Sequence, residues 1–119
     1  MRKIRENDPL RLQHMYDEAR KARRFVEGKT RREFDDDEQL QYALARAVEI
    51  VCEAACNITD EFQEENNQIE WQQITGMRQW LAHAYFKIDL NILWKTVQQD
   101  LPPLIAQLEA ILSTEDASE

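Results

Sequence analysis

Apolar residues recur at helical intervals along most of this chain, and no stretch alternates with period two over a useful length. Asp8-Pro9 reads as an N-cap with proline at the first helical position. Leu12, Met15, Tyr16, Ala19, Ala22 and Val26 then share one face until Gly28 supplies a stop, which predicts a first helix over 9–27. Thr30 and Glu33 match a capping box that opens a short turn through Phe34. The acidic run 35–38 suits the start of a second helix, whose stripe is Leu40, Ala43, Leu44, Ala47, Val51, Ala54 and Ile58 and whose end falls near Cys56 or Asn57. Its alanines imply close approach by a neighbouring helix.

Residues 59–69 are polar and read as a loop holding a short helical turn capped by Thr59. A third helix is expected over about 71–85. Asp89 caps a fourth with the stripe Leu90, Leu93, Trp94 and Val97. Asp100 with Pro102-Pro103 predicts a break and a fresh start, after which Leu104, Ile105, Leu108, Ile111 and Leu112 carry the last helix. Residues 113–119 are expected to form a flexible acidic tail. The fold class is therefore all-α, an antiparallel bundle of four to five helices forming one domain over 1–119. A chain of 119 residues with only 2 Gly and 3 Pro fits a single core built of long regular elements.

Charge qualifies this picture. The formal net charge is −8, which opposes non-specific binding of nucleic acid or anionic membrane. The average hides a split: residues 1–33 carry eleven Lys/Arg against six Asp/Glu (+5), and residues 34–119 carry four against seventeen (−13). An anion-binding surface is expected to draw on the first third or on one of Arg46, Arg78, Lys87 and Lys95. Arg20, Lys21, Arg23 and Arg24 also suit the C-terminal dipole of the first helix, which accounts for part of that cluster. No apolar run approaches the roughly 18 residues of a membrane span. The start Met1-Arg2-Lys3-Ile4-Arg5 lacks a signal-like apolar core, so a cytoplasmic protein is expected.

Cys52 and Cys56, the only cysteines, share a helical face near the limit for a disulfide. A zinc site would need two further ligands, and His14 and His83 are the only histidines, so two small buried thiols and no metal site are expected. The third helix departs from a plain bundle. Its stripe reads Trp71, Ile74, Arg78, Leu81 and Tyr85, with a guanidinium at the centre of an apolar face. Burying that group costs several kcal/mol unless an anion or a dense set of acceptors satisfies it. Pairing with a core acid such as Glu53, or snorkelling at the bundle end, competes evenly with anion binding. His83, five residues on, lies about 140° around an ideal helix from Arg78, and Gly76 leaves bare backbone one heptad before it.

The stretch from Gly76 to Asp89 resembles the signature of the HepT-like toxins of the HEPN superfamily. Their motif R-x-x-x-x-H-x-Y is matched by Arg78, His83 and Tyr85. Phe34 followed by acids, Glu53-Ala54-Ala55, Trp71-Gln72-Gln73-Ile74, and Trp94 leading to Asp100-Leu101-Pro102 also resemble that family's layout. The chain differs in having Gln79 after the arginine, where the family usually has Asn, and Ala84 before the tyrosine, where it often has Asp.

The resemblance implies a homodimeric HEPN-like bundle with the motif lining a cleft between subunits. It implies a metal-independent endoribonuclease that needs no cofactor, the toxin of a type VII-like toxin–antitoxin pair. Arg78 and His83 would be catalytic, and Tyr85 would support them and accept an adenylyl group from a nucleotidyltransferase antitoxin. Gln79, with Arg20, Arg23 and Arg24 if the first helix borders the cleft, are the RNA-binding candidates. These residue types suit the chemistry: histidine exchanges protons near neutral pH, arginine matches phosphate oxygens bidentately, and tyrosine can orient or stack on a nucleotide. The alternative is a non-catalytic helical dimer that binds a nucleotidyltransferase or serves as its substrate.

Overall fold

The computed structural model describes residues 5–82 and 89–117. A single 3₁₀ turn, Arg5–Asn7, leads into α1 (Asp8–Val26). There follow α2 (Arg31–Asp35), α3 (Glu38–Cys56), α4 (Asp60–Glu65), α5 (Trp71–Ala82) and α6 (Leu90–Lys95). A π turn, Thr96–Asp100, joins α6 to α7 (Leu101–Ala117). No strand occurs among the described residues, and the chain is all-helical as the sequence predicts.

Local chemistry sets most of the boundaries. Gly28 has φ of 74°, the left-handed conformation that ends α1 without a Cβ penalty. Thr30 and Glu33 form the reciprocal capping box, with Glu33 N donating to Thr30 Oγ1 at 3.1 Å and Thr30 N donating to Glu33 Oε1 at 2.9 Å. Asp37, Thr59 and Asp89 accept from the backbone N–H groups of Leu40, Phe62 and Ile92 and so start α3, α4 and α6.

Three features differ from expectation. Asp8 is not the cap of α1 but its first residue, and it is buried against Thr59. The prolines after Asp100 do not break the helix. Pro102 and Pro103 lack N–H groups, and a proline ring collides with the carbonyl four residues back. Widening the preceding turn relieves that clash, so the Leu101 N–H reaches Thr96 O five residues back and the chain stays helical. α7 also continues to Ala117, beyond the expected end at Ser113.

α1 packs along α3 and α7, and α3 packs along α5. The start of α1 meets the segment just beyond α3 through Asp8 and Thr59, so these two helices run antiparallel. A cleft of about 110 Å³ lies between α5 and the start of α7, lined by Ile74, Met77, Leu101 and Leu104 among others. The core inside these four helices contains Leu12, Met15, Leu44, Val48, Val51, Leu93, Val97 and Leu108, each fully buried. Phe34 of α2 is also fully buried and stacks on Trp94 of α6 with ring centroids 4.9 Å apart.

Candidate active site on helix α5

The inward face of α5 is Trp71, Ile74 and Met77, all buried, with Trp80 and Leu81 half-buried beside it. Arg78 is exposed, so it does not sit inside the apolar face that the stripe Trp71, Ile74, Arg78, Leu81 suggests, and the pairing with Glu53 that competed with anion binding is not formed. The buried positions Trp71, Ile74 and Met77, with half-buried Leu81, define the inward face, and residue 78 falls to one side of it. On α3, Cys52 is fully buried and its thiol donates to Thr75 O at 3.6 Å, where it feels the Arg78 charge. Glu53 is itself exposed, and Arg78 forms no ion pair among the described residues. Its cation is accessible from solvent.

Cys52 and Cys56 are both free. Burial pushes the Cys52 thiol up to about 12, and the neighbouring Cys56 adds to this while the Arg78 cation partly offsets it. Cys52 is therefore a packing residue rather than a nucleophile. Among the described residues no group of three His, Cys, Asp or Glu side chains is placed to hold a metal ion, and no helix is long and apolar enough to cross a membrane. Gln79 is exposed next to Arg78. His83, Ala84, Tyr85 and Lys87 lie outside the described residues. The exposed end of α5 at Arg78 and Gln79 leads directly towards them along the chain.

The family model for HepT-like ribonucleases matches residues 15–111. This chain belongs to the HepT-like ribonuclease family. The match runs from Met15 in α1 to residue 111 in α7 and includes all of α2 to α6, α5 among them. A relative in Thermococcus cleftensis named "Probable ribonuclease HepT" is 41% identical over 75 residues, covering 63% of this chain and 68% of the relative. Two others carry the name "Putative RNase". One, in Caldanaerobacter subterraneus subsp. tengcongensis, is 35% identical over 104 residues, which is 87% of this chain and 93% of the relative. The other, in Methanocaldococcus jannaschii, is 37% identical over 79 residues, which is 66% and 72%. No solved structure matches the chain.

The basic residues of α1 form a separate feature. Arg20, Arg23 and Arg24 line one groove of about 510 Å³ with Glu27 of α1 and Pro102 and Ile105 of α7. Among the described residues none of α5 lines it, so the structure gathers these three arginines together but not with Arg78, whose charge acts on Cys52 of α3. Arg23 also serves the fold. In the π turn the donor for Val97 O would come from residue 102, a proline without an N–H. Arg23 Nη1 supplies it at 3.3 Å and also donates to Gln98 Oε1. The α7 wall of this groove escapes sequence reasoning, although the i, i+3, i+4, i+7 spacing of Arg20, Arg23, Arg24 and Glu27 already marks the α1 side as one face.

Proposed function

We propose that this chain is a metal-independent endoribonuclease acting in the cytoplasm as the toxin of a type VII-like toxin–antitoxin pair. The observation that carries the reading is family membership over residues 15–111 combined with an exposed Arg78 on α5 that forms no ion pair among the described residues. In the reaction a ribose 2′-oxygen attacks the adjacent phosphorus. The bond from phosphorus to the 5′-oxygen breaks, leaving a 2′,3′-cyclic phosphate and a 5′-hydroxyl. Arg78 holds the phosphate oxygens and stabilises the charge that gathers on them. His83 takes the 2′-hydroxyl proton, and His83 of a second copy in a homodimer protonates the departing oxygen. Gln79 offers an amide beside the same phosphate.

Inactivation follows from the motif. A nucleotidyltransferase antitoxin places an adenylyl group on the Tyr85 oxygen, and the added phosphate and nucleoside occupy the Arg78 subsite. The acidic surface after residue 33 suits a basic partner protein. Incubating the purified chain with RNA and a chelator, beside Arg78→Ala and His83→Ala, tests the reading: cleavage is expected in the parent and lost in both variants. Cleavage that persists equally in both overturns it. Absence of cleavage throughout, with a transferase still bound, favours the non-catalytic dimer instead.

A further inference from the structure

We propose that the groove between α1 and α7 is a capture site for the backbone of single-stranded RNA, separate from the phosphate held at Arg78. The identity of the polyanion as RNA rests on the ribonuclease reading; the site itself rests on the following observations.

Arg20, Arg23 and Arg24 stand at i, i+3 and i+4 on α1 and open into the same groove of about 510 Å³. None of the three forms an ion pair among the described residues. Two are already positioned. The Arg20 guanidinium lies 5.4 Å from the centroid of the Tyr16 ring and its Nη1 donates to Tyr16 Oη at 3.3 Å. Arg23 is held through its Nη1 by Val97 O and Gln98 Oε1. Both keep Nε and Nη2 donors for an anion, and little side-chain entropy remains to be lost on binding. Arg24 is exposed and supplies a third cation.

Net charge decides where a polyanion can approach. Residues 34–119 carry −13 and repel it, whereas the groove is built mainly on the segment that carries +5. Its α7 wall is apolar, formed by Pro102 and Ile105, and among the described residues its one acid is Glu27. Arginines along one side with an apolar wall opposite suit a phosphate backbone whose sugars and bases rest on the wall. The acceptor oxygens of Glu27 suit a ribose hydroxyl or a base amino group. A volume of about 510 Å³ is that of a small-ligand pocket, enough to seat a nucleotide unit of a single strand. Because neither Arg78 nor any other described α5 residue lines the groove, the groove grips RNA away from the reacting phosphate.

The test uses fluorescence anisotropy of a short, labelled, single-stranded oligoribonucleotide titrated at several salt concentrations. The full chain carries Arg78→Ala so that the probe stays intact. Adding Arg20→Ala with Arg24→Ala is expected to weaken binding about tenfold and to flatten the salt dependence by about 1.4 in log–log slope, two phosphate contacts' worth. Arg23 is left in place because it also completes the π turn. A control with Arg46→Ala and Lys95→Ala removes the same charge elsewhere and is expected to change affinity less than about twofold. Arg24→Glu alone is expected to weaken binding while lowering the melting temperature by only a few degrees, the cost of an acid in the last turn of α1.

Unchanged affinity and slope in the groove variants overturns the proposal, as does an equal loss in the control. Groove-dependent binding of an acidic peptide with RNA affinity unaffected assigns the surface to a protein and also overturns it. The two readings fail separately. Groove-dependent RNA binding by a parent chain that never cleaves RNA removes the ribonuclease reading and supports the groove. Cleavage with no groove dependence of binding does the reverse.

Discussion

Thr59 closes the α3–α4 corner onto the start of α1 by donating twice to Asp8, from its hydroxyl to Oδ2 at 2.6 Å and from its backbone N–H to Oδ1 at 3.1 Å. Both residues are buried, and the same hydroxyl accepts from Phe62 N at 3.3 Å to cap α4. Asp8→Ala leaves two buried donors without an acceptor and is expected to cost about 2–3 kcal/mol in urea denaturation. Asp8→Asn keeps an acceptor oxygen and is expected to recover part of that loss. Equal stability of the alanine variant and the parent would show that the pair contributes nothing.

The two glycines predict opposite signs. Gly28 holds φ of 74°, so Gly28→Ala is expected to destabilise by about 1 kcal/mol even though a Cβ there meets no atom within 4 Å. Gly76 is helical and a Cβ there also meets nothing within 4 Å. Gly76→Ala is therefore expected to raise stability by about 0.5–1 kcal/mol in thermal melts. A loss at Gly76 would have to come from something outside the chain that packs on that bare backbone.

Cys52 makes stability depend on alkaline pH. Burial holds its thiol neutral to about 12 in the folded chain, while the unfolded chain releases the proton from its ordinary value of 9.0. The folded value is raised, so the contribution is intact below pH 9.0 and falls as pH climbs towards about 12. Denaturation midpoints measured across that window are expected to fall more steeply for the parent than for Cys52→Ala. In thiol labelling of the native chain, half-buried Cys56 is expected to react well before Cys52.

What was legible in the sequence was local. The capping box at Thr30 and Glu33, the caps at Thr59 and Asp89, the acidic start of α3 and the stop at Gly28 each depend on residues within a few positions, and the structure forms them as the spacing implies. What was not legible depends on a distant partner. Asp8 looked like a cap until Thr59, 51 residues on, claimed its carboxylate. The prolines looked like a break, because the remedy combines a widened turn with a donor from Arg23, 74 residues away from the carbonyl it serves. Residue 77 rather than 78 of α5 is the buried one, a choice between adjacent positions that depends on how α5 sits on its neighbours. The motif itself was readable as a spacing, and Arg78 could be placed on its helix but not as exposed or buried.

Arg78 is where activity and stability should separate. An arginine enclosed by the apolar face would fold poorly without its partner, and replacing it would move stability in one direction or the other by several kcal/mol. The exposed Arg78 has no ion pair among the described residues, so Arg78→Ala is expected to shift unfolding by no more than about 0.5 kcal/mol. Cleavage of RNA by the same variant is expected to fall by about 10²–10³, the scale of losing one charge-stabilising donor set in the transition state. Arg78→Lys keeps the charge but not the forked pair of donors, and its rate is expected to lie much nearer the alanine variant than the parent. A lysine variant with parental activity would reduce the role of Arg78 to a point charge, and an alanine variant with parental activity would remove it from the reaction.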